Sequence, residues 1–355
     1  MILVVNAGSS SVKVALFDDD LQELLRGSVT EIGGTGELRL GEARQPVRAA
    51  DHDAALATVL AMLRVQGMSP EALTAAAHRV VHGGATLTAP TRLTPDTIAA
   101  IEACTPLAPL HNPGNLAGIR ALSRLVPDLP QVASFDTAFH ATVPEVEWTY
   151  ALPRDLRDRG LRRYGFHGLS YASLVDHLAG QGVLPHRLLA FHLGNGASAC
   201  AIRDGESVAT SMGYSPLDGL VMGTRTGSID GMAVLEIARL HGLDRAAGIL
   251  NRESGLKALA GTSDMKVLLS REDPEARFAI DAFTHAAIWH GGALAAAMGG
   301  LDAIAFTGGI GENAAPIRDR IAQGLAWAGP APVQVVPAQE ERRIAADALA
   351  TLRIA

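Results

Sequence analysis

The sequence is poor in cysteine. Its 355 residues include two cysteines, Cys104 and Cys200, and no CxxC pair. Zinc knuckles and disulfide frameworks need closely spaced or numerous cysteines, and disulfides persist in oxidising compartments. We therefore expect no zinc knuckle, no disulfide between these two residues, and a cytoplasmic protein.

An excess of positive charge and a long apolar run are also missing. Lys and Arg together number 30 against 37 Asp and Glu, which gives a formal net charge of −7. Nucleic acids and anionic membranes attract basic surfaces, so neither is an expected partner. No apolar run approaches the roughly 18 residues of a membrane span, and no basic segment followed by an apolar run begins the chain.

Strand-like and helix-like segments alternate along the chain, which favours an α/β fold. The segments Ile2–Asn6 and Val12–Asp18 predict a hairpin around the polar loop NAGSSSVK. The segments Arg187–Leu193 and Ala197–Arg203 predict a second hairpin around Gly194-Asn195-Gly196. One such hairpin in each half predicts two related domains facing a shared cleft, with a boundary at 141–149, where no clear periodicity is present.

Other segments have clear periodicity or helix boundary signals. The predicted helices are 53–67, Pro95–Ala103 with Thr94 as N-cap, and 278–298, which Gly291-Gly292 should interrupt. The predicted buried strands are 75–81, 129–135 and 301–307.

Three glycine-rich turns follow predicted buried strands, at Gly8, Gly194–Gly196 and Gly308–Gly311. Backbone N–H groups in tight glycine turns form anion sites, and glycine allows close approach to a phosphate. Three such turns favour a nucleotide or phosphate site, although single glycine turns usually have no ligand. Neither the GxxxxGK[ST] loop nor a GxGxxG fingerprint is present.

Three basic residues occupy unusual positions. Lys13, one of only three lysines, has apolar neighbours, so its ammonium needs an anion or water nearby if it is buried. A snorkelling lysine on an edge strand is an equal alternative. Arg79 ends an apolar run and Arg225 lies between glycines, where a guanidinium fork could bind a carboxylate or phosphate. A surface ion pair is the alternative for either arginine.

Acidic and imidazole groups suggest a metal-dependent site. Asp136 follows a predicted strand in FDTAFH, a suitable position for a carboxylate that orders Mg²⁺. His111, His167 and His192 lie in loop-like contexts beside Gly, Asn or Pro. Because HExxH and a neighbouring cysteine are absent, a transition-metal site is the weaker alternative.

Eight motifs in order resemble the acetate kinase family, within the superfamily of acetate and sugar kinases, Hsp70 and actin. They run nearly end to end: NAGSSSVK, HRVVHGG, LAPLHNPGN, FDTAFH, RRYGFHG, HLGNGAS, SPLDGLVMGTRTG and FTGGIGEN. The resemblance implies duplicated ribonuclease-H-like domains with an interdomain active-site cleft. It implies a first domain of residues 1–141 completed by a C-terminal helix within 342–355, and a nucleotide-binding and dimerisation domain of residues 142–341.

The resemblance also implies roles for residues that match the family motifs. The implied catalytic residues are Asn6, Arg79, Asp136, His167 and Arg225, with the acetate pocket formed by Arg79, Val81, Leu110, Phe166 and Pro216. The implied ATP-binding residues are Ser9, Ser11, Lys13, His192, Asn195, Gly196, Asp264, Met265, Lys266, Gly309, Ile310 and Asn313. The implied metal-linked residues are Asn6 and Glu340.

The implied reaction is the reversible transfer of the γ-phosphoryl group of ATP to acetate, giving acetyl phosphate and ADP. Mg²⁺ is the implied metal, with Mn²⁺ as a substitute, and the implied assembly is a homodimer. Alternatives are a propionate or broad short-chain acyl kinase, and, from another class, a non-metabolic actin-like ATPase.

The sequence departs from the family pattern in three ways. It is shorter than usual members. Ala338-Gln339 replaces Thr-Asn before the acidic pair, which leaves both Glu340 and Glu341 open as the metal-linked glutamate. Met265-Lys266 replaces Phe-Arg, a change that affects the expected affinity for adenine more than the expected phosphoryl transfer.

Overall fold

The structure is a computed structural model that describes residues 1–353, so residues 354 and 355 of the predicted first domain lie outside the described residues. The chain divides into two compact units. Unit 1 comprises Met1–Phe139 and Gln339–Ala355, and unit 2 comprises His140–Ala338. The divisions therefore follow residues 139 and 338, where the sequence predicts 141 and 341.

Strands and helices alternate in both units. The strands are β1 Ile2–Ala7, β2 Val12–Phe17, β3 Glu23–Val29, β4 Gly36–Leu40, β5 Ala43–Val47, β6 Ala75–Val80, β7 Thr91–Arg92, β8 Gln131–Phe135, β9 Arg187–Leu193, β10 Ala197–Arg203, β11 Glu206–Thr210, β12 Ala303–Thr307 and β13 Val333–Val335. The α-helices are α1 His52–Val65, α2 Pro95–Ala103, α3 Asn112–Leu125, α4 Glu145–Trp148, α5 Arg154–Asp158, α6 Gly168–Gly180, α7 Gly231–His241, α8 Leu243–Gly248, α9 Gly255–Ala260, α10 Met265–Leu269, α11 Pro274–Met298, α12 Gly308–Asn313, α13 Ala315–Gly324 and α14 Glu340–Arg353.

The two sheets repeat one strand order. In unit 1 the order is β5-β4-β3-β2-β1-β6-β8-β7, and in unit 2 it is β11-β10-β9-β12-β13. In each unit three consecutive strands pair in antiparallel fashion, namely β1, β2 and β3 in unit 1 and β9, β10 and β11 in unit 2. Two later strands extend the sheet in parallel on the other side of the first strand, namely β6 and β8 beside β1, and β12 and β13 beside β9. The predicted α/β fold with duplicated domains is therefore confirmed.

Strand β1 lies in the centre of the unit 1 sheet. Four consecutive residues, from Ile2 to Val5, are buried, so both faces of this strand are covered. Helices α3 and α14 both pack against it. A Cβ on Gly114 of α3 would lie 2.7 Å from the backbone of Gly8, so glycine at 114 lets the helix reach the loop that follows β1. The fold thereby presses the NAGSSS loop against a helix.

Several sequence predictions match the observed bounds. Helix α2 spans Pro95–Ala103, and the Thr94 hydroxyl accepts a hydrogen bond of 3.2 Å from the Thr97 N–H, as an N-cap does. Strands β9 and β10 have the predicted limits. The predicted C-terminal helix is α14, with Ile344, Ala345 and Ala348 buried.

Two local predictions are wrong. Gly291-Gly292 does not interrupt α11, because a Cβ on Gly291 would lie 2.9 Å from the Phe191 ring and the glycine serves close packing. The GGIGEN segment forms the short helix α12 instead of a loop.

Two further features concern the environment of the chain. Cys104 and Cys200 are both buried and carry free thiols. Among residues 1–353, no helix combines the length and the apolar character that crossing a membrane requires.

Candidate active site

The end of β1 and the loop that follows it present polar side chains that the protein itself does not use. The Gly8 N–H donates to the Ser11 carbonyl at 2.8 Å, which closes the turn, and Ser9 is exposed. Within residues 1–353, the Asn6 amide and the hydroxyls of Ser9 and Ser11 have no hydrogen-bond partner. These groups are available to an external ligand.

Lys13 corrects the sequence analysis. Its side chain is exposed on β2, although its neighbours Val12 and Val14 are buried. Strand β2 lies between β1 and β3, so Lys13 is not on an edge strand either. The other five residues of β2, Val12 and Val14–Phe17, are all buried, so Lys13 is the one exposed position of a strand that is otherwise covered on both faces. Burial therefore gives no reason for an anion at Lys13, and only its place beside the NAGSSS loop does.

Arg79 and Asp136 form a bidentate ion pair in unit 1. Arg79 lies on β6 and Asp136 directly follows the neighbouring parallel strand β8, where the Asp136 N–H donates to the Val80 carbonyl at 3.0 Å. Arg79 Nε donates to Asp136 Oδ1 at 3.0 Å, and Arg79 Nη2 donates to Oδ2 at 2.7 Å. Arg79 Nη1 lies 3.6 Å from Glu340 Oε2. The pair is mostly buried, so the surface ion pair considered for Arg79 is wrong.

Burial and charge act in opposite directions on this pair. Burial disfavours the Arg79 cation, but Asp136 and Glu340 outweigh it and raise the pKa of Arg79 above its usual range. Burial also raises the pKa of the Asp136 carboxyl, and the Arg79 guanidinium opposes that rise. Arg79 is therefore a permanent cation that two carboxylates hold in place.

The two candidate glutamates lie in the first turn of α14 and contact different arginines. Glu340 faces the Arg79 guanidinium, whereas Glu341 Oε2 lies 3.6 Å from Nη1 of Arg26. Arg26 also pairs with Glu23 on the same strand. Glu340 is thus the member of the acidic pair that lies beside Arg79 and Asp136.

The HNPGN motif in unit 1 has a structural task that the sequence analysis missed. The Val81 N–H donates to Asn115 Oδ1 and the His82 N–H donates to Asn112 Oδ1, each at 3.1 Å. The two asparagines of α3 thus hold the backbone that follows β6. Val81 is half-buried there, and Leu110 is 47% exposed.

His167 in unit 2 occupies a left-handed backbone conformation, with φ of 59° and ψ of 21°, directly before α6. The preceding carbonyl, that of Phe166, accepts a hydrogen bond of 2.9 Å from His140 Nε2. Burial lowers the pKa of His140 to about 4, so its ring is neutral at pH 7. His140 therefore helps to fix the strained turn that presents His167.

Polar groups surround the His167 ring. Its Nδ1 lies 2.9 Å from Ser198 Oγ, and Ser198 Oγ lies 2.6 Å from the Tyr171 hydroxyl. The His192 ring stacks on His167 with centroids 4.2 Å apart, and its Nδ1 lies 2.8 Å from Ser170 Oγ. His192 belongs to strand β9, so the loop context expected for it is wrong.

Arg225 and His167 converge on Gly196. A Cβ on Gly196 would lie 3.2 Å from His167 Nε2 and 3.5 Å from Arg225 Nη1, so the missing side chain leaves space beside both nitrogen atoms. Arg225 Nη1 donates to the Pro216 carbonyl at 3.1 Å. No carboxylate among residues 1–353 pairs with Arg225, and burial lowers the pKa of its guanidinium. This half-buried cation lacks a protein counter-anion.

One cavity of about 680 Å³ in unit 2 gathers most of the predicted ATP-binding residues of that unit. Its lining includes Asn195, Asp264, Met265, Lys266, Gly309, Ile310 and Asn313. Asp264 caps α10 by accepting the Lys266 N–H at 2.9 Å, and Asn313 Nδ2 donates to the Gly309 carbonyl at 2.8 Å. His192 and Gly196 do not line this cavity.

The acetate-pocket residues of unit 2 differ in burial. Phe166 is 1% exposed and Pro216 is half-buried. Ser198 and Tyr171, whose hydroxyl oxygens lie 2.6 Å apart, were not predicted from the sequence as residues of the site. Ser198 lies within HLGNGAS, and a polar residue at a buried strand position was the available signal.

Comparisons with known proteins agree with this architecture. The profile of the acetokinase family matches residues 1–345. The acetate kinase of Rhodopseudomonas palustris is 43% identical over 348 residues, covering 93% of this chain and 87% of that protein. The crystal structure of Porphyromonas gingivalis acetate kinase has a TM-score of 0.92 at 34% identity and covers 99% of both chains. A propionate kinase from Francisella tularensis has a TM-score of 0.92 at 35% identity and covers 98% of both chains. The chain belongs to the acetokinase family.

Proposed function

We propose that the chain transfers the γ-phosphoryl group of ATP to acetate, reversibly, giving acetyl phosphate and ADP. Membership of the acetokinase family makes it a phosphotransferase with a carboxyl group as acceptor. The observation that carries the proposal is the convergence of Arg225 Nη1 and His167 Nε2 beside Gly196. Arg225 has no carboxylate partner among residues 1–353, so its guanidinium suits a transferring phosphoryl group in this space.

The chemistry needs charge neutralisation more than proton transfer. A carboxylate is ionised at neutral pH, so acetate can attack phosphorus in line without a general base. The obstacle is the approach of an anion to a polyanion. In our proposal Arg225 neutralises the transferring phosphoryl group, and His167 donates to its equatorial oxygens.

Unit 1 supplies the remaining cations and donors in this proposal. Asn6, Ser9 and Ser11 present uncommitted donors to phosphate, with Lys13 as the cation next to them. Arg79 contributes through Nη1, since Nε and Nη2 are committed to Asp136. Val81 and Leu110 from unit 1, with Phe166 and Pro216 from unit 2, are proposed to receive the acetate methyl group.

The donor set of unit 1 fits a divalent metal. Asp136, Glu340 and Asn6 offer hard oxygen atoms, and Mg²⁺ usually takes one or two carboxylates together with phosphate oxygens and water. No cluster of three His, Cys, Asp or Glu side chains in the described part of the chain could hold a metal alone. We propose that Asp136 and Glu340 hold Mg²⁺, or Mn²⁺ in its place, directly or through water. The bound cation supplies charge neutralisation of the ATP phosphates.

The cavity of about 680 Å³ is the proposed adenosine site. Its volume lies within the roughly 300–1,000 Å³ of small-molecule sites. Ile310 and Leu269 provide apolar surface, while Asn195 and Asp264 provide polar groups. His192 and Gly196, outside this cavity, are proposed to face the phosphates.

Propionate is the second candidate substrate. The Francisella tularensis propionate kinase matches this chain with the same TM-score as the Porphyromonas gingivalis acetate kinase. One additional methylene changes binding in an apolar pocket by only about 1–3 kcal/mol, so overlapping use of the two acids is expected.

We also propose a homodimer formed through unit 2. Helix α7 has no buried residue, and Met232, Leu235 and Leu240 are 59–70% exposed. Phe278 and Trp289 of α11 are exposed to a similar degree. Apolar surface of this kind marks protein interfaces. The cytoplasmic location expected from the sequence stays a prediction.

The test is formation of an acyl phosphate, trapped as the hydroxamate, from Mg-ATP and each acid. We expect an acetate-dependent signal and a kcat/KM for acetate above that for propionate. A higher kcat/KM for propionate would favour the second candidate, and no signal with either acid would contradict both.

A further inference from the structure

Arg163 begins the segment of unit 2 that leads to His167. Its Nη1 lies 2.9–3.3 Å from three successive backbone carbonyl oxygens, those of residues 210–212. The N–H of the next residue, Tyr164, donates to the Gly213 carbonyl at 3.0 Å. The segment before His167 is therefore attached to this neighbouring stretch of chain by both side-chain and backbone hydrogen bonds.

Asp218 closes the loop that carries Arg225. Its Oδ1 accepts hydrogen bonds from the Gly219 N–H at 2.9 Å and from the Ser228 hydroxyl at 2.6 Å. The Ser228 N–H also donates to the Gly219 carbonyl at 2.9 Å. These bonds join the two ends of the loop 219–228, so Asp218 fixes the base of the loop from which the Arg225 side chain extends.

Arg163 and Asp218 meet in an ion pair. Arg163 Nη1 lies 3.5 Å from Asp218 Oδ2, and the two side chains are 22% and 37% exposed. Gly213 lies beside this contact, since a Cβ there would be 2.7 Å from Asp218 Oδ2 and 2.5 Å from the Tyr150 hydroxyl oxygen. A side chain at position 213 would occupy the place of the carboxylate, and glycine leaves the space that the contact needs.

The two pieces of chain that this ion pair links carry the proposed catalytic side chains. His167 Nε2 and Arg225 Nη1 both lie beside Gly196. A misplacement of about 1 Å in a catalytic site can lower the rate about 10²-fold, even when its cause lies away from the chemistry. The placement of these two nitrogen atoms therefore depends on what joins the segments that support them.

We propose that Arg163 and Asp218 are positioning residues, which hold the two proposed catalytic side chains in fixed relation to each other. The arginine fixes the segment before His167, and the aspartate fixes the loop that bears Arg225. The inference rests on the proposed function for the reaction that these side chains serve. The pairing itself rests on the printed sequence's own contacts within unit 2 and can be tested without the reaction.

The kinetic test uses Asp218→Ala with a matched control. We expect Asp218→Ala to lower kcat for acetyl phosphate formation by roughly 10–100-fold, with KM for ATP unchanged, because the proposed adenosine cavity has a separate lining. Asp218→Asn keeps an oxygen that accepts the loop hydrogen bonds but loses the charge that faces Arg163, so its kcat should be intermediate. Asp302→Ala breaks the ion pair of a similarly exposed aspartate with Arg187 and should leave kcat unchanged.

A double-mutant cycle shows whether Asp218 acts through Arg225. If Asp218 places the guanidinium, Asp218→Ala should cost little in an Arg225→Ala background, where the guanidinium is already absent. Equal fold-losses of kcat in both backgrounds would indicate a general effect on the fold and would overturn the proposal. Wild-type kcat in Asp218→Ala would overturn it as well.

Unfolding of the full-length protein tests the pair without the reaction. Urea denaturation of Arg163→Ala, Asp218→Ala and the double variant measures the coupling between the two side chains. We expect the double variant to lose less stability than the two single variants lose in sum. Strictly additive losses would overturn the pairing and the proposal with it. Failure of the wild-type protein to form acetyl phosphate would instead contradict the proposed function, whatever the unfolding cycle gives.

Discussion

The two arginines of the proposed site differ in what the protein provides for them. Arg79 is held by two carboxylates, Asp136 and Glu340. Arg225 has a carbonyl partner and no carboxylate among residues 1–353. Loss of Arg79 should therefore affect stability as well as activity, whereas loss of Arg225 should affect activity.

Arg225→Ala should lower kcat for acetyl phosphate formation by about 10²–10³, the usual effect of removing one positioned donor. The folded state should remain, because no buried carboxylate loses its partner. Steady-state kinetics and thermal unfolding of the same preparation check both parts. Arg225→Lys keeps the charge without the fork and should retain an intermediate activity. Near-normal turnover in Arg225→Ala would rule out the assignment.

Arg79→Ala should lower the free energy of unfolding by about 3–5 kcal/mol, because it leaves the buried Asp136 carboxylate unpaired. Without Arg79, burial raises the pKa of Asp136 unopposed. The loss should therefore be largest near pH 7 and shrink as pH falls through the raised pKa of Asp136 in the folded variant, because a protonated carboxyl needs no counter-ion.

Urea unfolding of wild type and Arg79→Ala between pH 4 and pH 7 measures this dependence. The matched control is Arg79→Ala with Asp136→Ala, which removes the unpaired charge and should recover part of the loss. An equal loss in the single and double variants at every pH would contradict the account.

The residues that belong to the proposed site could be predicted from the sequence more easily than their burial and their contacts. The motif order located Arg79, Asp136 and Arg225, and the structure pairs the first two. Lys13 was misjudged, because its side chain is exposed although every other residue of its strand is buried, and a run of apolar neighbours does not reveal such a position. The choice between Glu340 and Glu341 depends on which side of α14 each occupies, and only the three-dimensional contacts show that.

At the scale of elements, α14 completes unit 1. Ser134 Oγ on β8 donates to Asp347 Oδ2 at 2.9 Å, and Arg343 Nε donates to Asp347 Oδ1 at 2.8 Å. Ile344 is 1% exposed. The same helix begins with Glu340, so its docking also fixes a proposed metal-linked carboxylate.

Ile344→Ala should lower the free energy of unfolding by about 2–5 kcal/mol, because it removes a buried side chain and leaves a cavity. Arg342→Ala, at an exposed position two residues before Ile344, should change the free energy of unfolding by less than about 0.5 kcal/mol. Urea denaturation monitored by circular dichroism compares them. Equal effects of the two substitutions would show that α14 is not docked as described.

Element predictions succeeded where a local signal determines the structure. The Thr94 cap and the proline after it begin α2 at the predicted residue. They failed where tertiary packing overrides local preference. Gly291 suggested a break in α11, but the helix continues because the glycine lies against Phe191. The hydrogen bonds of Asn112 and Asn115 to the backbone after β6 could not be deduced from their spacing.

At the scale of the whole molecule, the proposed dimer can be tested by a substitution on the exposed apolar face of α7. Leu235→Glu places a charge on that face and should convert the dimer to a monomer, because an unpaired charge in an apolar interface is costly. Sedimentation equilibrium measures the mass of each variant. Val146→Glu, also at an exposed position in unit 2, is the control and should remain dimeric. A wild-type monomer, or a dimeric Leu235→Glu, would contradict the proposed interface.

The repeated strand order of the two sheets is common to enzymes and to other ATP-binding proteins, so the fold does not decide the reaction. The decisive features are the cation Arg225, without a carboxylate partner, and His167 beside it. In the proposed reaction a carboxylate acceptor couples ATP cleavage to product formation.

The stoichiometry of ADP and acetyl phosphate formed by the wild-type protein with Mg-ATP tests this coupling most directly. We expect one acetyl phosphate for each ADP when acetate is present, and no more than background ADP when it is omitted. ADP formation that is independent of acetate, with no acetyl phosphate, would identify an ATPase and contradict the account.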